Sequence, residues 1–134
     1  MLKQFVSAAA VFGAAALAQG IAAGPAQARH ADAPHSHFDI VVEPLHGGGD
    51  LEMTLDCPPE LSEHPNADIV CSQLEEAGGL IDGIAAADGM CTKEYAPVRV
   101  FIAGHWQGNR QLFLKTYSNR CEAVLATGGA LLDL

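Results

Sequence analysis

Four cysteines constrain this 134-residue chain more than any other feature of its sequence. They are Cys57, Cys71, Cys91 and Cys121. In a small exported protein, an even number of cysteines indicates disulfides that supplement a modest core. Four cysteines allow three pairings, and the sequence alone does not choose among them. A zinc site is the alternative, but no C-x-x-C pair is present, so we predict two disulfides and no bound metal.

An apolar N-terminal segment predicts export. Lys3 precedes an alanine-rich run, and Ala-Gln-Ala at 26–28 matches the pattern that signal peptidases cleave. A transmembrane anchor is the alternative, but several glycines and Pro25 interrupt the run. We therefore predict a signal peptide over residues 1–28 and a secreted, extracellular protein.

The remaining sequence predicts a flexible arm and one acidic domain. Residues 29–37 are polar and contain proline, which is typical of a mobile segment. The arm's three histidines are candidate ligands for a transition metal, although a solvated tail is the simpler interpretation. Residues 38–134 form the domain. The formal net charge of −9 argues against nucleic acid or an anionic membrane as a partner.

Hydrophobic periodicity predicts an α+β fold. Apolar and polar residues alternate over 38–43 and 51–56, which indicates two antiparallel strands joined by a glycine-rich turn. We expect Asn66 to be the N-cap of a first helix, and Ser118 or Asn119 to be the N-cap of a second. The final "ALLDL" indicates a closing strand. Elements in this order favour an antiparallel sheet with helices packed on one face.

The clearest element is a long hairpin over residues 97–118. Trp106 lies at its tip, either as an exposed contact or packed across the ribbon. One predicted face is apolar although helices cover only one side of a sheet, so we expect a partner subunit there. We place Val98, Val100 and Ile102 opposite Leu112, Leu114 and Thr116 on the first face, and Phe101, Ala103, Phe113 and Tyr117 on the second.

No catalytic motif is present in the sequence. It has no G-x-S-x-G, no H-E-x-x-H and no phosphate-binding glycine loop. His46 and His64 fall in glycine- or proline-rich segments and are expected at the surface. We therefore predict a protein that is not an enzyme and needs no cofactor.

Lys93 lies in the segment "GMCTKEYAPV" at residues 89–98, which we predict to be a candidate binding loop. A disulfide at Cys91 and a strand that begins after Pro97 would anchor both ends of a short exposed loop. Pro97 also favours extended backbone at Ala96. An exposed extended segment can occupy the substrate-binding cleft of a protease as an added strand.

The chain resembles the Streptomyces subtilisin inhibitor family. The resemblance is carried by "MTLDC", "HPNADIVCSQL", "AGGLIDGI", "GMCTKEYAPV", "GHWQGNR" and "YSNRCE". It implies a disulfide-stabilised, five-stranded antiparallel sheet with two helices on one face, assembled as a homodimer. It also implies one disulfide pairing, Cys57–Cys71 and Cys91–Cys121.

The resemblance further implies inhibition of subtilisin-like and trypsin-like serine proteases by the substrate-like standard mechanism. The reactive bond would join Lys93 to Glu94, with Lys93 in the specificity pocket. A secreted binding module on the same scaffold that does not inhibit proteases is the alternative. The implied protease-contacting residues are Met90, Cys91, Thr92 and Tyr95, and the implied loop supports are Asn119 and Pro97.

Three residues of this loop depart from the family pattern. Thr92 replaces the common proline, Glu94 a small apolar residue, and Ala96 a frequent aspartate. We expect these differences to affect the strength of inhibition more than its occurrence.

Overall fold

The computed structural model describes residues 35–134. The predicted signal peptide, and the predicted arm as far as residue 34, lie outside the described residues. Within the described part, no helix is long and apolar enough to cross a membrane.

The described residues form an antiparallel sheet with two helices and two disulfides, which confirms the α+β class. The sheet has four strands in the order β2-β1-β3-β4, not the five that were expected. The strands are β1 (Ser36–Pro44), β2 (Leu51–Cys57), β3 (Val98–Trp106) and β4 (Asn109–Tyr117). The helices are α1 (Ala67–Glu76) and α2 (Arg120–Ala126), with 3-10 turns at Pro59–Leu61 and Ile81–Gly83.

The first two strands follow the predicted alternation. Phe38 and Ile40 of β1 are fully buried, and Phe38 pairs with the buried Leu55 of β2. The strand begins at Ser36, earlier than predicted, so His37 belongs to the sheet and not to the arm. The hydrophobic periodicity stops at Phe38 because the next core-facing residue, Ser36, is polar although it is 2% exposed.

The hairpin of β3 and β4 is present, but its predicted side-chain pairing is wrong. Its turn contains two residues, Gln107 and Gly108, with φ values of 47° and 83°. This turn pairs Trp106 with Asn109 and thereby sets the register of both strands. A shift of one residue in register moves every side chain of a strand to the opposite face.

The observed register places Phe113 and Tyr117 on the core face, opposite Ile102 and Val98. Phe113 is only 5% exposed. The outer face of the hairpin instead carries Arg99, Phe101, Ala103, Leu112, Leu114 and Thr116.

Both helices contribute to the same core. Val70 and Leu74 of α1 and Ala123 of α2 are fully buried against the inner face of the sheet. Asn119 is the N-cap of α2, because its side chain accepts a hydrogen bond from the Glu122 backbone N–H. The two possible caps proposed for this helix are thus resolved in favour of Asn119.

The predicted closing strand is absent: residues 130–134 form turns and irregular backbone. Leu131 and Leu132 are both buried and fill the core, so they do not alternate as strand residues would. Side chains hold this segment in place of strand pairing. His64 Nε2 lies 2.9 Å from the Leu131 carbonyl oxygen, and the Asn66 amide donates to the Asp133 carbonyl at 2.9 Å.

Those contacts correct two further expectations. His64, expected at the surface, is 4% exposed. Asn66 precedes α1 at the N-cap position, but its side chain does not cap the helix. Both polar groups are instead used to bind backbone carbonyls that no strand partner satisfies.

The disulfides are Cys57–Cys71 and Cys91–Cys121, the pairing that the resemblance implies. The first joins the end of β2 to α1. The second joins the segment before β3 to α2. In the chain-entropy model each contributes roughly 3–4 kcal/mol to stability.

Candidate functional site

The segment that contains Lys93 is an exposed loop without helix or strand, as far as Pro97. Met90 is 97% exposed and Tyr95 is 70% exposed, although both are large and apolar or aromatic. Thr92, Lys93 and Glu94 are exposed as well. Large apolar side chains that are held in solvent on an ordered loop are typical of a contact surface.

A disulfide fixes the first half of the loop. Cys91 is bonded to Cys121, the second residue of α2, with a Cα–Cα distance of 5.7 Å. The loop therefore cannot move away from the start of that helix. Thr92 and Lys93 follow directly after this anchor.

Asn119 supports the loop from beneath. Its side chain is nearly buried, at 6% exposure, and its Nδ2 group donates to the carbonyl oxygens of Thr92 at 3.2 Å and Glu94 at 3.0 Å. These two carbonyls flank Lys93. One amide thus holds the backbone on both sides of Lys93, while its Oδ1 atom caps α2.

Backbone hydrogen bonds fix the second half of the loop. The Ala96 N–H donates to the Ser118 carbonyl at 2.9 Å, and the Leu45 N–H donates to the Pro97 carbonyl at 2.9 Å. Pro97 itself is buried. The loop leaves this point directly into β3, so its end is as firmly placed as its beginning.

A further contact involves a residue that sequence reasoning did not connect with the loop. The rings of His46 and Tyr95 meet edge to face, with centroids 5.5 Å apart and planes at 67°. His46 lies in the turn between β1 and β2, 49 positions from Tyr95 by their residue numbers. Sequence periodicity carries no signal for such a contact, because it depends on how two irregular segments meet.

The predicted site residues therefore lie together. Met90, Thr92, Lys93 and Tyr95 are on one exposed segment, and Cys91, Pro97 and Asn119 connect that segment to the domain. The ion pairs found among the described residues do not involve Lys93.

The same residues offer no site for a metal. Within residues 35–134, no group of three His, Cys, Asp or Glu side chains is arranged to hold a metal ion. The loop presents exposed backbone, the Lys93 cation and the Glu94 carboxylate.

The loop lies within a segment of the chain that is similar to known proteins. Residues 46–119 match the family model described as subtilisin inhibitor-like. Subtilisin inhibitor-like protein 2 of Streptomyces rochei is 49% identical over 71 residues, which are 52% of this chain and 63% of that protein. Trypsin inhibitor STI2 of Streptomyces longisporus is 42% identical over 71 residues, which are 52% of this chain and 49% of that protein. The chain therefore aligns with about half to two thirds of the length of these relatives.

A solved structure shares the fold. It is the crystal structure of Streptomyces caespitosus sermetstatin in complex with Bacillus licheniformis subtilisin. The TM-score is 0.56 at 22% sequence identity, covering 74% of this chain and 97% of that chain.

Proposed function

Because the chain belongs to the subtilisin inhibitor-like family, which comprises protease inhibitors and not enzymes, we propose that it inhibits serine proteases through the loop around Lys93. The observation that carries this proposal is the support of the loop on both sides of Lys93. The Asn119 amide binds the carbonyls of Thr92 and Glu94, and Cys91 is bonded to α2.

The proposed mechanism is substrate-like binding by a preorganised loop. A flexible peptide loses conformational entropy when it enters a protease cleft, whereas this loop is already held in place, so less binding free energy is lost. The protease serine attacks the Lys93 carbonyl carbon and forms an acyl-enzyme, with the Glu94 amine as leaving group. That amine cannot diffuse away, because Asn119 and the strand after Pro97 retain it, and religation competes with hydrolysis.

Lys93 gives the proposed specificity. A protonated lysine suits a trypsin-like pocket with a buried aspartate. Subtilisin-like enzymes remain candidate targets, because main-chain pairing with an extended segment does not require a particular side chain.

The structure offers replacements for two interactions that the family pattern would lead one to expect. Thr92 lacks the fixed φ of proline, but its carbonyl is held by Asn119. Ala96 lacks a carboxylate, but its N–H is bound to the Ser118 carbonyl. These contacts support inhibition in spite of both substitutions. Among the described residues, no contact of this kind offsets the charge of Glu94. Removing water from its carboxylate in the protease cleft therefore makes the binding free energy less favourable.

We also propose that the protein is secreted and forms a homodimer through the outer face of its sheet. Exposed apolar side chains support the second proposal: Leu112 is 72% exposed, Leu114 62% and Phe101 38%. Leu112 and Leu114 thus take the place of Phe113 and Tyr117 as proposed dimer-contact residues, because Phe113 and Tyr117 face the core.

The proposal is tested by titrating trypsin and subtilisin with the purified protein and then identifying the cleaved bond. We expect stoichiometric loss of protease activity and slow appearance of a new N-terminus at Glu94. Rapid cleavage without loss of protease activity would refute inhibition and favour a binding module on the same scaffold. Cleavage at another bond with inhibition intact would refute only the assignment of the reactive site.

A further inference from the structure

The turn between β1 and β2 is attached to the end of the Lys93 loop. The Leu45 N–H donates to the Pro97 carbonyl at 2.9 Å, which fixes the turn beside the loop. The next residue, His46, places its ring against Tyr95 with centroids 5.5 Å apart. The rest of the turn is glycine-rich, and Gly47 and Gly48 have φ values of 96° and 124°. The hydrogen bond to Pro97 thus provides the fixed point from which His46 reaches Tyr95.

Tyr95 needs such a contact more than its neighbours do. The Glu94 carbonyl is bound by Asn119, and the Ala96 N–H by Ser118, so the backbone on both sides of Tyr95 is held. The Tyr95 side chain is nevertheless 70% exposed. An edge-to-face contact with a neighbouring ring restricts its rotamers and favours one orientation.

We propose that His46 is a positioning residue for the leaving side of the reactive loop, which comprises Glu94, Tyr95 and Ala96. This inference rests on the proposed function. The contact with His46 holds the Tyr95 ring in the orientation in which that ring enters the protease cleft. It also keeps the Glu94 amine close to the acyl-enzyme after the bond to Lys93 has been broken.

The second effect concerns religation. The Glu94 amine attacks the ester carbonyl that joins Lys93 to the protease serine, and a C–N bond replaces the C–O bond. The amine proton returns to the serine oxygen through the protease histidine. Religation is faster than attack by water only while the amine stays near the ester. Loss of the His46 contact should therefore increase the release of cleaved inhibitor more than it weakens the initial encounter.

Three variants test the role of His46 with trypsin as the protease. His46→Ala removes the ring, His46→Phe retains an aromatic ring, and Asp50→Ala is a control in the same exposed turn. We expect His46→Ala to accumulate cleaved inhibitor about two- to tenfold faster, the range for loss of one aromatic pair. His46→Phe and Asp50→Ala should stay near the parent. A His46→Ala protein that matches Asp50→Ala would overturn the inference.

A measurement without protease separates this inference from the proposed function. In the free parent protein, NMR should show cross-relaxation between the ring protons of His46 and Tyr95. Its absence, with inhibition intact, would overturn the positioning role alone. A parent that inhibits neither trypsin nor subtilisin would overturn the proposed function, and the role of His46 in inhibition with it.

Discussion

At the scale of single residues, the protonation of His37 is linked to the stability of the folded state. Its Nδ1 atom lies 2.8 Å from Asp56 Oδ1, and its Nε2 atom lies 3.4 Å from Asp39 Oδ1. The hydrogen bond to Asp56 is the main cause of a raised pKa for His37, with the charges of Asp56 and Asp39 acting in the same direction and partial burial opposing them. His35 also reaches Asp56 Oδ1, at 2.9 Å.

This raised pKa predicts a pH dependence of stability. The folded state binds the proton of His37 more tightly than the unfolded state, whose reference pKa is 6.5. The contribution is therefore fully present below about pH 6.5 and is lost as the pH rises through the raised value. Urea unfolding of the parent and His37→Gln should differ more at pH 5.5 than at pH 8.5. An equal difference at both pH values would contradict the assignment.

Substitution can separate the two roles of the Asn119 side chain, which are to support the loop and to cap α2. Asn119→Asp keeps the oxygen that caps α2 but loses the donor to Thr92 and Glu94, whereas Asn119→Ala loses both. Loss of the cap costs about 1 kcal/mol of folding free energy. We expect both variants to be cleaved by trypsin at least about tenfold faster than the parent, because one or more hydrogen bonds are lost. Urea unfolding should show the additional cap loss in Asn119→Ala only. Cleavage of Asn119→Asp at the parental rate would contradict the loop-support role.

At the scale of elements, the hairpin shows what periodicity supplies and what it omits. The alternation predicts two strands correctly, but it does not determine their register. The register depends on the two-residue turn of Gln107 and Gly108. A turn with one residue more or fewer would give the predicted pairing and would bring Phe113 to the outer face.

The segment 130–134 was mispredicted for a related reason. A short apolar run is consistent with a strand and equally with a buried irregular segment. Its conformation depends on distant partners, since His64 and Asn66 bind its backbone from the segment that precedes α1. The sequence marks these residues as turn and cap candidates and gives no sign of their target.

The end of α1 provides a prediction about packing. Gly79 has a φ of 83°, and a Cβ there would lie 2.2 Å from ring atoms of Trp106. Gly78 has a φ of 64° and open space around it. Gly78→Ala should cost about 1–2 kcal/mol for the backbone alone, and Gly79→Ala about 1–3 kcal/mol more for overpacking. Unfolding followed by fluorescence of Trp106, the single tryptophan, measures both. Equal losses would show that Trp106 can move aside.

At the scale of the whole molecule, the exposed outer face predicts assembly. Leu114 on this face and Leu61 on the Pro59–Leu61 turn are both 62% exposed, so they form a matched pair. Light scattering should show a parent dimer at micromolar concentration. Leu114→Lys should shift it towards monomer, because burial of a charge opposes association, while Leu61→Lys should not. A monomeric parent would contradict the proposed homodimer.

At the same scale, some features of the molecule can be predicted from its sequence and others cannot. The fold class, both helices, the disulfide pairing and the exposed loop follow from the cysteines, the periodicity and the resemblance. The contact of His46 with Tyr95 and the double use of the Asn119 side chain arise only when separate segments meet in space. Such contacts have no local signature, because their partners are set by tertiary packing.

The most direct test of the central claim compares trypsin inhibition by the parent and by Lys93→Met, with subtilisin as the internal control. A trypsin-like pocket buries an aspartate, and loss of one partner of such a charge pair costs about 2–5 kcal/mol, or about 30- to 5,000-fold in affinity. We predict that loss for trypsin, while inhibition of subtilisin is retained or improved. Trypsin inhibition within about threefold of the parent, a difference below 1 kcal/mol, would contradict the assignment of Lys93 as the specificity residue.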